Sequence, residues 1–402
     1  MSTLSELANQ TPVWGSRQPR LHFVSFNGTW AGGVLSSRKT IVSEFVKLVS
    51  VHENVFETPV NGVGSDIGFI DRIVGGESPV LIIIHISRSQ IILVGYSRGA
   101  WAARYLAMLI NAVGLPKDGD EHLYSLLYKA CHKNSMLTRD AAQQLLQGYD
   151  NVKFAFHCIS LHETREPFST AFMCGLGVHQ VLFPGSHGNL GWIDETEGLV
   201  HGPFAWMIQQ LKTHLNISFD DTQLAKRFPA YVPPQLGVNP LDQRPDAIPS
   251  LARQDGLSDT VEVPTKESLS TMPSARRQWS DGSIIRAHPG LLAIIGKKTG
   301  HAASAGVATN LKVHIGARLR TGLDDFNAVP GYTLTLPAKG PLHWKRRQQT
   351  PSQWSSSSDS GSGVGLAERI DEAGVGPLEA QLLGLPHEVV SEHCCHENCL
   401  RR

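Results

Sequence analysis

The stretch IILVGYSRGAWAARYLAML, residues 91–109, sets Ser97 two residues after Gly95 and two before Gly99. G-x-S-x-G is the spacing of a nucleophile elbow. Its glycines let a strand turn sharply into a helix without Cβ clashes, and the turn lifts the serine Oγ above the sheet. The backbone N–H of the next residue, Arg98, then points from a helix N-terminus at a developing oxyanion. Chance gives ~0.3 such matches in a chain of this composition, so the context matters more than the five letters. An apolar run precedes Ser97, and a helical pattern closed by Gly114 and Pro116 follows it. The competing reading is a glycine-rich turn with a capping serine.

A serine nucleophile needs a base, and usually an acid to orient that base; in α/β hydrolases they follow in the chain order serine, Asp or Glu, histidine. The best-placed base is His187 in QVLFPGSHGNLGW, in a glycine-flanked loop just after a predicted strand. For the acid, Asp194 lies seven residues past His187 and Asp150 precedes a possible strand at 151–155; an exposed aspartate is the plainer reading of both. The second oxyanion donor normally comes from the loop after an earlier strand, and FNGTW (26–30), with Gly28 allowing close backbone approach, follows LHFVSF. His157, His162, His179 and His201 read as packing or surface residues. HCCHENC (393–399) gathers soft ligands, but its spacing matches no closed zinc module, so neither a metal nor a cofactor is assigned.

Positioning these groups requires a sheet. LHFVSF (21–26), NVFETPV (54–60) and QIILVGY (90–96) read as strands, RKTIVSEFVKLVS (38–50) has helical spacing, and the pattern predicts an α/β layer. HQVLF (179–183) is the last clear strand and GLVHGPFAWMIQQLKTHL the last clear helix. VLIIIHI (80–86) and QIILVGY are joined by three residues, too few for a parallel crossover. A short buried helix beginning at Ser78-Pro79 is therefore the expectation for the first of them, against its β-branched content. The domain reading is a flexible leader at 1–19, an α/β-hydrolase-like catalytic domain at 20–216, a proline-rich accessory segment packing on it at 217–345, and a disordered tail at 346–402 that begins near the low-complexity QWSSSSDSGSGVG.

Bulk properties narrow the partners. The chain of 402 residues carries 36 Lys and Arg against 36 Asp and Glu, so no net field draws it to nucleic acid. Three of its six cysteines fall in the last nine residues, unlike a disulfide-stapled secreted fold, and the first twenty residues hold no secretory apolar block. The expectation is a cytoplasmic protein with no transmembrane segment, able to touch lipid at its surface. Its oligomeric state is left open.

HFVSFNGTW, IILVGYSRGAWAAR, FHCISLHETREPF and VLFPGSHGNLGW together resemble, in order and wording, the α/β-hydrolase domain related to type VI secretion phospholipase effectors. The likeness spans roughly 20–215, and the later W-x-x-G-x-I and GARLRTG stretches resemble the tail of its fungal members. It implies a three-layer α/β sandwich with a mainly parallel sheet and an irregular C-terminal extension, Ser97 as nucleophile, His187 as base, and Asn27 with Gly28 at the oxyanion. The departures are specific. Asn27 stands where the family has Asp in F-D-G-T-W, His162 replaces the Asp of A-L-D-E, and Asn189 replaces the Asp of H-x-D-x-G-G-G. The W-D-T-V strand expected between the elbow and FHCISLHE is missing, as is one crossover helix. Three hypotheses follow: a serine hydrolase of carboxylic esters or phospholipids, a catalytically impaired pseudo-hydrolase serving as a binding module, or a truncated product of a gene whose intact version is the enzyme.

Overall fold

The computed structural model describes residues 20–28, 39–50, 54–61, 77–86, 89–113, 152–163, 165, 168, 170, 172–173, 177–193, 198–234, 279, 282–284, 311–320, 328–335, 342–347 and 367–385. In chain order these form β1 (Arg20–Phe26), a 3-10 turn at Ile41–Glu44 running into α1 (Phe45–Leu48), β2 (Val55–Val60), β3 (Glu77–Ile86), β4 (Ser89–Ser97) and α2 (Arg98–Val113). Then come β5 (Val152–Ser160), β6 (Val178–Phe183), α3 (His187–Gly191), α4 (His201–Leu215) and α5 (Asp221–Arg227). The C-terminal part supplies β7 (Leu311–Val313), α6 (Ile315–Leu319), β8 (Tyr332–Thr335), β9 (His343–Arg346), β10 (Arg369–Glu372) and α7 (Pro377–Leu383).

All ten strands belong to one sheet, in the order β2-β1-β4-β3-β5-β6-β7-β10-β9-β8. Parallel pairing joins β2, β1 and β4 on one side and β5, β6, β7 and β10 on the other. The sheet is mixed because β3 runs antiparallel to both β4 and β5, and β9 runs antiparallel to both β10 and β8.

The strand β3 corrects the helix expected at Ser78-Pro79. Only residues 87 and 88 separate it from β4, so the two strands close as an antiparallel hairpin. Its Val and Ile side chains favour a pleated surface, and Val80 to Ile84 are fully buried, as a continuous apolar run in a central strand should be. In the sheet β3 lies between the elbow strand and FHCISLHE. A strand of reversed direction thus keeps the sheet continuous there.

Successive β3 residues serve opposite faces. Val80, Ile82 and Ile84 pack with Ala100, Ala103, Ala107 and Ile110 of α2, whose small side chains at helical spacing let the helix lie close to the sheet. Leu81 and Ile83 pack into a second core with α1, α4, α5 and α7, through residues such as Phe45, Phe204, Ile208 and Leu382. The sheet is thus covered by helix on both faces, an α/β layering.

The sheet continues past residue 216, since β7 pairs with β6 and extends it. The disorder expected from 346 onward fails for residues 367–385. There β10 inserts between β7 and β9, and α7 packs on α4. Pro377 opens α7, the Glu379 carboxylate accepts from the Gly376 N–H, and Gly384 closes the helix at φ 62°. Gln209 Oε1 of α4 accepts the N–H groups of Leu378 and Glu379 at 2.8 and 3.1 Å, satisfying donors that a helix start leaves open. The leader and HCCHENC lie outside the described residues.

Candidate active site

Strands β1, β4, β5 and β6 point the same way, because β3 is antiparallel to its two neighbours and the other pairings are parallel. Their carboxyl ends therefore share one edge of the sheet, which is where α/β proteins carry their ligand sites. Residues 27–28, 97, 160–163 and 183–187 meet along that edge.

At the G-x-S-x-G turn, Ser97 ends β4 and Arg98 begins α2. Ser97 has φ 59°, a left-handed conformation that costs a non-glycine residue about 1–2 kcal/mol. The two bracketing glycines have separate steric reasons. A Cβ on Gly95 would lie 2.4 Å from the Gly99 carbonyl oxygen and 2.7 Å from Ala100 Cα, so the first turn of α2 could not fold back on the strand. A Cβ on Gly99 would lie 2.2 Å from the Phe26 oxygen and 2.6 Å from the Asn27 oxygen, where the helix start meets the end of β1.

The loop after β1 lies against the same residues. A Cβ on Gly28 would come within 2.6 Å of Tyr96 Cδ1 and 3.3 Å of Ser97 Cβ, so only glycine lets this backbone approach the serine. Asn27 is buried. Its backbone N–H donates to the Val60 carbonyl at 3.0 Å, and its Oδ1 accepts from Thr40 Oγ1 at 2.8 Å.

His187 arrives from the opposite side. After β6, Gly185 takes φ 115°, Ser186 caps α3, and His187 is the first residue of the helix. Asn189 Oδ1 accepts from both the backbone N–H and the hydroxyl of Ser186, and its Nδ2 donates to the Ser283 carbonyl at 3.0 Å. The short helix is seated on Tyr96: the phenol donates to the His187 carbonyl at 3.0 Å, and a Cβ on Gly191 would meet the Tyr96 ring at 2.2 Å. The His187 imidazole, buried, stacks on Tyr96 with centroids 4.8 Å apart and planes 19° apart. The structure therefore brings this imidazole against the residue that immediately precedes Ser97.

The acid candidates fare differently. Asp194 and Asp150 lie outside the described residues. His162, at the position of the family's Asp, is a structural pin: its Nδ1 accepts the Gly185 N–H at 2.8 Å and its own N–H donates to the Gly185 carbonyl at 3.0 Å. The carboxylate beside His187 is instead Glu163, which sequence reasoning passed over although it ends the quoted FHCISLHE. Glu163 is 3 % exposed, and its Oε2 accepts the His187 backbone N–H at 3.1 Å. Arg165 donates to it through the backbone N–H, Nε and Nη2 at 2.8, 2.9 and 2.8 Å. Burial pushes this carboxyl up; hydrogen bonds and charge from Arg165, joined by the nearby His187, outweigh burial and hold it below the usual range. The signal that could have found it was position, at the carboxyl end of a strand parallel to the elbow strand.

Among the described residues no three His, Cys, Asp or Glu side chains gather to hold a metal ion, and no helix is long and apolar enough to cross a membrane. Residues 80–147 and 144–210, two adjacent stretches, match the family described as the T6SS phospholipase effector Tle1-like catalytic domain. The matched span takes in most of β3, Ser97, Glu163 and His187, and with them three of the four motifs that carry the resemblance; HFVSFNGTW lies before it. No curated protein and no solved structure matches the chain.

Proposed function

We propose that the chain is a serine hydrolase of carboxylic esters, acting on lipid or phospholipid, with Ser97 as nucleophile and His187 as general base. Ser97 Oγ attacks the ester carbonyl carbon and His187 takes the hydroxyl proton. The carbonyl oxygen becomes an oxyanion facing the Arg98 N–H at the start of α2 and the loop at Asn27 and Gly28. Collapse expels the alcohol, which recovers the proton from His187, and water then cleaves the acyl-enzyme by the same route. In the loop the backbone N–H of Asn27 is committed to Val60, so Gly28 is the better backbone candidate.

The observation that carries the reading is the held strain of Ser97, at φ 59° between a strand and a helix, with both glycines sterically obligatory. Strain of this kind persists where the surroundings over-determine it, typically at active sites. The lipid class rests on the phospholipase family match, since a fold and an elbow do not select a leaving group.

A second reading, a binding scaffold without turnover, is favoured by one observation: Glu163 meets the backbone of His187 and is engaged by Arg165. Loss of an orienting acid costs a serine–histidine pair up to about 10⁴ in rate. Labelling the full chain with a fluorophosphonate, beside phospholipid vesicles and short-chain esters as substrates, separates the two. Covalent labelling lost in Ser97→Ala supports the hydrolase; no labelling of a folded, monodisperse chain supports the scaffold.

A further inference from the structure

We infer that Glu163 and Arg165 form a positioning unit for His187, the carboxylate favouring the imidazolium and the guanidinium opposing it. This rests on the reading of His187 as the general base.

Three contacts converge on one residue. Glu163 Oε2 accepts the His187 backbone N–H at 3.1 Å, which fixes the base along the chain. The Arg165 guanidinium lies 3.8 Å above the Phe168 ring, and that ring packs 4.8 Å from the His187 imidazole. Tyr96 stacks on the imidazole at 4.8 Å. The ring thus packs against two aromatic residues, one of them under the Arg165 guanidinium, while its backbone is held by the partner of that same Arg165.

The charge logic follows from the same geometry. Among the described residues, the groups with charge or a titratable proton that contact His187 or the residues holding it are Tyr96 on β4 and His162, Glu163 and Arg165 at the end of β5. Tyr96 is neutral and donates to the His187 carbonyl, while His162 Nδ1 is occupied as an acceptor from Gly185. Glu163 and Arg165 are left as a buried charge and its countercharge. When His187 takes the Ser97 proton, the new imidazolium is attracted by Glu163 and repelled by Arg165. The pair sets the balance that a triad acid sets by direct contact, and Arg165 weakens it.

The test is a histidine NMR titration on the full chain carrying Ser97→Ala, with the His187 signal assigned by its loss in His187→Gln. Adding Glu163→Gln removes the attraction and is expected to move the His187 midpoint to lower pH. Adding Arg165→Gln removes the repulsion and is expected to move it to higher pH. In chains that retain Ser97, the acid limb of kcat/KM should move in the same two directions. Midpoints that stay put, or that move the same way in both variants, overturn the inference, since a purely structural pair has no reason to produce opposite shifts. If Glu163→Gln does not fold, the Arg165→Gln arm decides alone. Opposed midpoints in a chain that fluorophosphonate does not label would leave the charge balance on His187 standing but sink its role as a base, so the two failures are distinct.

Discussion

Replacing Gly99 by Ala tests whether the elbow is seated against β1 as described. The added Cβ would sit 2.2 Å from the Phe26 oxygen, 2.6 Å from the Asn27 oxygen and 2.7 Å from the Phe26 carbonyl carbon, all backbone atoms. Ordinary separations of about 3.5 Å require something to give by roughly 1 Å. The end of β1 has little room to recede, since Phe26 pairs with Val60 on one side and Gly95 on the other, and Asn27 donates to Val60. The start of α2 must therefore lift, carrying Ser97 with it. Overpacking costs about 1–3 kcal/mol, with backbone obstacles at the upper end. Alanine returns at most about 1 kcal/mol of helix propensity. The net loss of about 2 kcal/mol corresponds to a fall in Tm of about 4–8 °C for a domain of this size. With Ser97 in its proposed role, a 1 Å misplacement costs about 10²-fold, so fluorophosphonate labelling should slow by about that factor. Thermal denaturation and labelling rate are read on the same preparations. A Gly99→Ala chain that melts and labels like the parent would refute the close seating of α2 on β1.

Two further outcomes follow from the same structure. Ser97→Gly should be more stable than Ser97→Ala by about 0.5–1 kcal/mol, because glycine relieves the left-handed strain at φ 59° but adds chain entropy to the unfolded state; equal urea midpoints would mean that the residue is not strained. Burial, aided by the nearby Arg227, lowers the pKa of His201 from 6.5 to about 4, so the folded chain keeps this imidazole neutral while the unfolded chain protonates it. The unfolded state then binds more protons between about pH 6.5 and 4, and stability falls as pH is lowered through that window. His201→Gln should lose less stability over the same interval, and identical pH slopes for the two proteins would count against the burial assigned to His201.

What the sequence made legible were the elements whose local signals agree with their tertiary setting. Residues 21–26, 54–60 and 90–96 became β1, β2 and β4, and the residues following Ser97 became α2, because apolar period and glycine placement pointed the same way there. The hairpin at β3 is not legible locally, because an apolar run of this length suits a buried helix as well as a central strand, and only the antiparallel pairing with β4 across a two-residue link decides for strand. The C-terminal strand and helix were hidden by composition, since the serine-rich stretch before them was extended across the whole tail. Yet Gly376, Pro377, Glu379 and Gly384 spell a helix start and stop. What no local pattern could supply was their docking: His314 Nε2 meets Glu379 Oε1 at 2.9 Å in the interior, and the Trp279 indole donates to the Leu383 carbonyl at 3.0 Å. These join residues 65 and 104 positions apart.

Each departure from the resembled family's aspartates has a hydrogen-bonding neighbour in the structure. At each of the three positions where the resembled family carries Asp, the replacement still accepts a hydrogen bond: Asn27 from the Thr40 hydroxyl, His162 from the Gly185 N–H, Asn189 from the Ser186 N–H and hydroxyl. Each change removes a negative charge and keeps an acceptor where the loop needs one, so these positions hold the loops around Ser97 and His187 in shape without a carboxylate. The carboxylate at the imidazole's own backbone is Glu163, and Arg165 offsets its charge. Architecture and electrostatics have therefore separated in this chain. The loops are kept by neutral acceptors, and among the described residues the charges beside His187 are those of the Glu163–Arg165 pair, whose two halves pull in opposite directions.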